Sequence, residues 1–151
     1  WLSIWTLAIL GAKGGASSGA AVLARDGFGL LPVSGFGNHC PGRATGARLQ
    51  IPGDKELLCV SLYLRDSEGM TDANLEILAE IGALAHVQGM PTVVGGDWNM
   101  GPEVISESNF CTSLQWELAS PGGFTHFPGT RQPTIYDYFR LASGLLRGWS
   151  P

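Results

Sequence analysis

The chain has 151 residues, enough for one domain of ordinary size, and 44% of them are hydrophobic, enough to bury a core. Twenty-two glycines and nine prolines argue against long helices or a coiled coil and for short elements joined by many turns. The formal charge of −4, from 9 Lys plus Arg against 13 Asp plus Glu, argues against a dedicated nucleic-acid module, although the scattered basic residues leave local nucleic-acid binding open.

The opening stretch WLSIWTLAIL is apolar but shorter than the about twenty residues a membrane-spanning helix needs. It has neither an initiating Met nor a basic flank, so it does not read as a signal peptide. It reads as a piece that begins inside something longer, and residues 1–17 stay unassigned. Gly19 to Arg25 (GAAVLAR) is a β-rich run, and Phe28 to Gly46, rich in Gly and Pro, reads as an irregular connection. Ala44 to Ile51 ends at Pro52-Gly53 and pairs as a hairpin with Leu57 to Leu64 (LLCVSLYL). Cys40, Cys59 and Cys111 are an odd number at wide spacings with no zinc pattern, which speaks against a disulfide framework and fits a reducing compartment.

One helix stands out. In TDANLEILAEIGALAHVQG the residues Ile77, Leu78, Ile81, Leu84 and Ala85 share a face, Thr71 or Asp72 caps the start, and Gly89 with Pro91 ends it. TVVGG then reads as a buried strand with Asp97 at its end, the place where open α/β sheets keep their sites. Pro102 and Glu103 suit the first turn of a short helix through about Ser108. GGFTHF and TIYDYFRLAS read as two further strands; in the second, Ile135, Asp137, Phe139 and Leu141 share one face, which sets Asp137 among apolar neighbours.

Two features thus ask for explanation: Asp97 and Asn99 at a strand end, and a carboxylate in an aromatic strand. Gly, Asp and Asn also favour turns for local reasons, and Asp137 also suits a strand edge bonded to a nearby turn. Both pairs of readings stay open on spacing alone. An EF-hand is excluded, because Pro102 stands where the loop needs Gly and Ser108 where it needs Glu.

Taken together, VVGGDWNM and TIYDYFRLASGLL resemble the endonuclease/exonuclease/phosphatase superfamily, which includes deoxyribonuclease I, apurinic/apyrimidinic endonucleases, retrotransposon endonucleases and inositol phosphatases. SGAAVLAR and VSLYLRD agree more weakly, and the resemblance runs from about Ser18 to Leu146. It implies a two-sheet α/β sandwich of the deoxyribonuclease I-like type, incomplete, occupying residues 18–151. It also implies Mg2+-dependent hydrolysis of phosphoesters, most simply as an endonuclease. In that family pattern Asp97 activates the attacking water, Asn99 donates to a phosphate oxygen, Tyr63 lies beside the scissile phosphate, and Asp137 orients a catalytic histidine.

The chain also departs from the pattern. The family's early asparagine and metal-binding glutamate have no match before Ser18, Glu56, Glu68 and Glu76 fall too late, and no terminal Ser-Asp-His follows Asp137. His86 reads as a solvated helix residue and His39 as a loop residue, leaving His126 as the histidine able to approach the site. Arg131 is either a phosphate contact at the rim or a solvated loop residue. The expectation is a domain truncated at both ends and inactive alone, with a non-catalytic phosphate-binding remnant as the alternative. Nucleic acid is the expected partner, with a phosphorylated small molecule or lipid head group as other options.

Overall fold

A computed structural model describes residues 1–10, 14–36, 41–130 and 132–142. His39, Cys40, Arg131 and everything after Ala142 lie outside the described residues. In chain order the elements are β1 (Leu2–Thr6), β2 (Ile9–Leu10), β3 (Ala16–Ser17), β4 (Ala20–Ala24), β5 (Gly29–Pro32), β6 (Ala44–Ile51), β7 (Lys55–Tyr63), α1 (Asp72–Gln88), β8 (Thr92–Asp97), α2 (Pro102–Glu107), α3 (Asn109–Leu114), β9 (Trp116–Ala119) and β10 (Asp137–Ala142).

A six-stranded mixed sheet in the order β5-β6-β7-β8-β10-β9 carries the site. Its β6–β7 hairpin turns through Pro52, Gly53 and Asp54, and the last two have positive φ (85° and 56°), which brings Ile51 opposite Lys55. Strand β8 runs parallel to β7, and α1 makes the crossover that a parallel pair requires. Helix α1 ends as its sequence predicts, with Gly89 left-handed at φ 62° and its N–H bonded to the Ala85 carbonyl.

The two faces of this sheet have different covers. Leu58, Val60, Leu62, Val94 and Tyr138 point one way and pack with Ile77, Leu78 and Ile81 of α1, Ile105 of α2 and Cys111 of α3 into the buried core. On the other face Ala47 is fully buried, where the two-stranded β1–β4 sheet lies across β5, β6 and β7 through Ala20 and Ala24. Among the described residues that second layer packs mainly on β5, β6 and β7, and Phe139 on β10 is 54% exposed. The result is a helix layer, a large mixed sheet and a partial second sheet.

Several expectations are corrected. The N-terminal stretch forms β1, which pairs antiparallel with β4, and β2 pairs with β3. The stretch read as irregular contains β5 on the edge of the main sheet. The run GGFTHF is not a strand: only His126 bridges Thr134, because Pro128 and Pro133, which have no N–H to give, flank the pair. The last strand starts at Asp137, and the Tyr136 N–H just before it donates to Thr125 Oγ1 at 2.9 Å.

The alternation along β10 is real but its faces are opposite to expectation. Asp137 is exposed rather than embedded, while Tyr138 and Arg140 are the buried pair. Tyr138 stacks on Trp98 at 4.9 Å, and Arg140 donates from Nη2 to the Pro102 carbonyl at 3.0 Å and to Ser106 Oγ at 2.9 Å. A long cation that reaches the start of α2 thus takes the helix side, and Phe139 takes the open side.

Candidate active site

The site residues are brought together by strand register. Tyr63 on β7 is the partner of Asp97 on β8, and Asp97 is the partner of Asp137 on β10. Residues directly opposite across a ladder project on the same face, so the three side chains stand in one row at the carboxyl end of β7 and β8. Asn99 follows immediately. Tyr63, Asp97 and Asn99 line a cleft of about 630 Å³ with Asp66, His126 and Tyr136. Asp137 lines the adjoining cavity on its other side, with Thr125 and Phe139.

Local chemistry explains the turn after β8. Asn99 sits at φ 50°, a left-handed conformation that asparagine tolerates. Its backbone N–H donates to Asp97 Oδ1 at 3.0 Å and its Nδ2 to the Leu64 carbonyl at 2.9 Å. The turn reading holds: the side-chain turn fixes Asp97, and the second N–H of the Asn99 amide remains a donor. Trp98, between them, points into the core, where its Nε1 donates to the Tyr138 carbonyl at 2.9 Å and ties β8 to β10. Gly96 has φ 145°, and a Cβ there would overlap the Leu62 carbonyl, so β8 approaches β7 only because this residue is glycine.

The electrostatics single out Asp97. Burial pushes its carboxyl above the usual carboxylate range; the Asn99 N–H lowers it, negative charge at Asp137 and then Asp66 raises it, and His126 opposes them. A carboxyl raised in this way is a stronger proton acceptor than an ordinary aspartate once ionised. His126 is held by backbone bonds in both directions with Thr134, each 3.0 Å, and stacks on Tyr136 at 5.0 Å.

Sequence reasoning missed three contributors. Thr125 Oγ1 accepts from the backbone N–H of Asp137 at 3.0 Å as well as that of Tyr136, which seats the start of β10. Arg43 lies over the Tyr63 ring at 5.4 Å with Nη2 donating to Ser17 Oγ at 3.4 Å. Asp66 follows Tyr63 by three residues, and its loop is organised by buried Asn74, which accepts from the Arg65 N–H and donates to the Arg65 and Gly69 carbonyls. The stretch LYLRD carried a signal for Asp66; nothing local marks Thr125.

Magnesium is the ion that the family resemblance implies. Among the described residues no three His, Cys, Asp or Glu side chains converge. The described residues form no such three-ligand cluster, and no step is assigned to a metal. Cys59 and Cys111 are free thiols whose burial raises their pKa. No described helix is long and apolar enough to cross a membrane.

No family model matches the chain and no curated protein matches it in sequence. Solved structures do match it. The human Nocturnin catalytic domain with bound sulfate anion aligns at a TM-score of 0.63 and 17% identity, over 94% of this chain and 60% of that one. The Xenopus laevis APE2 catalytic domain aligns at 0.60 and 14% identity, over 95% and 67%. An endonuclease/exonuclease/phosphatase family protein from Leptotrichia buccalis aligns at 0.56 and 10% identity, over 93% and 60%. The chain thus spans 60% of the length of the Nocturnin catalytic domain and of the Leptotrichia protein. What these structures share with it, at such identities, is the path of the backbone through strands and helices. This chain has the deoxyribonuclease I-like α/β fold that these structures share.

Proposed function

We propose that the chain is a phosphoester hydrolase domain directed at nucleic-acid phosphodiesters, dependent on Mg2+ where the ligand set is complete, and that alone it holds phosphate without cleaving it. The observation that carries this reading is the row Tyr63–Asp97–Asp137 in direct register beside Asn99. In this reading Asp97 takes the proton of the attacking water, and Asn99 donates to a phosphoryl oxygen with the amide N–H it has left. Tyr63 borders the phosphate, and Asp137 is the carboxylate that orients a histidine. His126 lines the same cleft. The sulfate held by Nocturnin, a tetrahedral oxyanion like phosphate, supports the choice of ligand.

Loss of one preorganised catalytic group commonly costs about a hundredfold or more in rate, and here the metal-ligand set is not assembled from the described residues. The test is cleavage of bis(p-nitrophenyl) phosphate and of a labelled oligonucleotide with added Mg2+, alongside binding of inorganic phosphate. The expected result is binding that weakens in Asn99→Ala and hydrolysis at background. Cleavage that disappears in Asp97→Ala would show a complete catalytic set, with His126 the first candidate base. No binding of phosphate at any workable concentration would remove the phosphoester reading itself. The second reading is a phosphate-binding module that keeps the fold and catalyses nothing; the same cleavage assay separates the two.

A further inference from the structure

The row of Tyr63, Asp97 and Asp137 continues past Tyr63 into a cation. The β6–β7 ladder ends with Ala44 opposite Leu62, and one position further the Tyr63 N–H donates to the Arg43 carbonyl at 2.8 Å. Arg43 thus stands opposite Tyr63, and the two project on the same face. Its guanidinium lies over the Tyr63 ring at 5.4 Å and donates from Nη2 to Ser17 Oγ at 3.4 Å, so an aromatic face and a hydroxyl fix its place. Tyr63 is the shared element: its ring carries Arg43, and it lines the cleft with Asp97 and Asn99. Across four neighbouring backbones the row reads cation, aromatic, carboxylate, carboxylate.

We infer that Arg43 binds a second phosphate of the substrate, next to the one at Asp97 and Asn99, so that the site takes a ligand with two neighbouring phosphates laid across the row from β8 toward β6. The inference rests on the phosphoester reading of that row and extends it. Two strand spacings of about 4.7–4.9 Å each separate the backbone at Arg43 from that at Asp97. The guanidinium leans over Tyr63, which stands between them, and shortens that gap to one that successive phosphates of an extended chain can span. The charge of the cleft calls for such a partner: Asp66 and Asp97 line it, Asp137 adjoins it, and each repels a phosphate when ionised. A guanidinium stays charged at every working pH, and its planar fork gives parallel N–H···O bonds to a phosphate while its face rests on a ring. A ligand with one phosphate cannot use both places. A polynucleotide backbone supplies the pair, as does a bisphosphorylated cyclitol.

The test compares binding of 5′-phosphorylated dithymidylate, which carries two phosphates, with thymidine 5′-monophosphate, which carries one, and with myo-inositol 4,5-bisphosphate. Wild type should hold the dinucleotide about tenfold more tightly than the mononucleotide, the size of one charge-assisted contact. Arg43→Gln should erase that gain and leave thymidine 5′-monophosphate unchanged, whereas Arg43→Lys, which keeps the charge without the fork, should retain part of it. In Arg43→Gln the slope of log affinity for an oligothymidylate against log salt should flatten by about 0.7. Equal affinity of dinucleotide and mononucleotide for wild type overturns the second phosphate place alone. So does an Arg43→Gln protein that weakens both ligands alike with an unchanged salt slope, which would make Arg43 a support for Tyr63. Arg43-dependent binding of the dinucleotide ahead of the inositol bisphosphate supports a nucleic-acid chain as the ligand, and the reverse order overturns that source. Binding of none of the three, nor of inorganic phosphate, overturns the phosphoester reading together with the inference.

Discussion

The two faces of the six-stranded sheet are built from the same strands and differ in almost everything else. On the helix side Leu58, Val94 and Trp98 are fully buried and their neighbours interlock with three helices. On the other side Asp97 is half-buried, and Asp137 and Phe139 are exposed. One face contributes stability and the other carries the acidic groups that oppose one another. The difference teaches that the site face is tolerable only because the helix face holds the strands in register.

The comparison can be broken by mutation, and the largest effect belongs to the helix side. Trp98→Ala removes a fully buried indole, its stack on Tyr138 and the bond that ties β8 to β10. It should destabilise by about 3–5 kcal/mol in denaturant titrations. Phe139→Ala, an aromatic deletion on the opposite face, should cost less than about 1 kcal/mol. Similar losses at the two positions would mean that the faces are not distinct.

Asn74→Ala comes next. The side chain is fully buried and serves both backbone groups of Arg65 and the Gly69 carbonyl. Its loss should cost about 2–3 kcal/mol, because buried polar groups are left without partners. Amide exchange should accelerate first between residues 64 and 71, the loop that carries Asp66. Uniform acceleration across β7 and β8 would assign Asn74 to the core instead of the loop.

The smallest effect sharpens the comparison on the site side. The pKa of Asp97 is raised in the folded chain, so its ionised form is disfavoured relative to the unfolded chain. The stability linked to its protonated form is fully present below the ordinary value of about 3.9 and is lost as pH rises through the raised value. Asp97→Asn should therefore be at least as stable as wild type at neutral pH and should flatten that part of the stability–pH curve. A variant markedly less stable at neutral pH would show that the carboxylate holds the turn rather than serving the cleft.

What was legible in the sequence was whatever local spacing encodes. The α1 stripe, the β6–β7 hairpin and the strand ending at Asp97 appear where apolar period and turn residues put them. The faces of β10 were not legible: Ile135, Phe139 and Leu141 look like a core stripe, and only the tertiary arrangement shows that helices pack against Tyr138 and Arg140. Thr125 was silent because it acts by accepting backbone N–H groups from residues twelve positions away or nearly so. The strands β1 and β5 were missed because their partners, β4 and β6, lie across long connections that no window spans. The polar pair Asp97 and Asn99 was visible as a pair, yet its alignment with Tyr63 and Asp137 belongs to the register.

The bond from Trp98 to Tyr138 joins residues forty positions apart, and that from Asn99 to Leu64 spans thirty-five. Hairpins such as β6–β7 close in about 1–10 μs, whereas non-local pairings form late because loop-closure entropy comes first. The carboxylate row consequently has no precursor during folding: until β10 has crossed to β8, Asp137 and Asp97 are not neighbours. An anion that recognises the row then binds the native chain alone and raises its melting temperature in proportion to the logarithm of its concentration. The cleft is in this sense a timekeeper, reporting when the last strand has arrived.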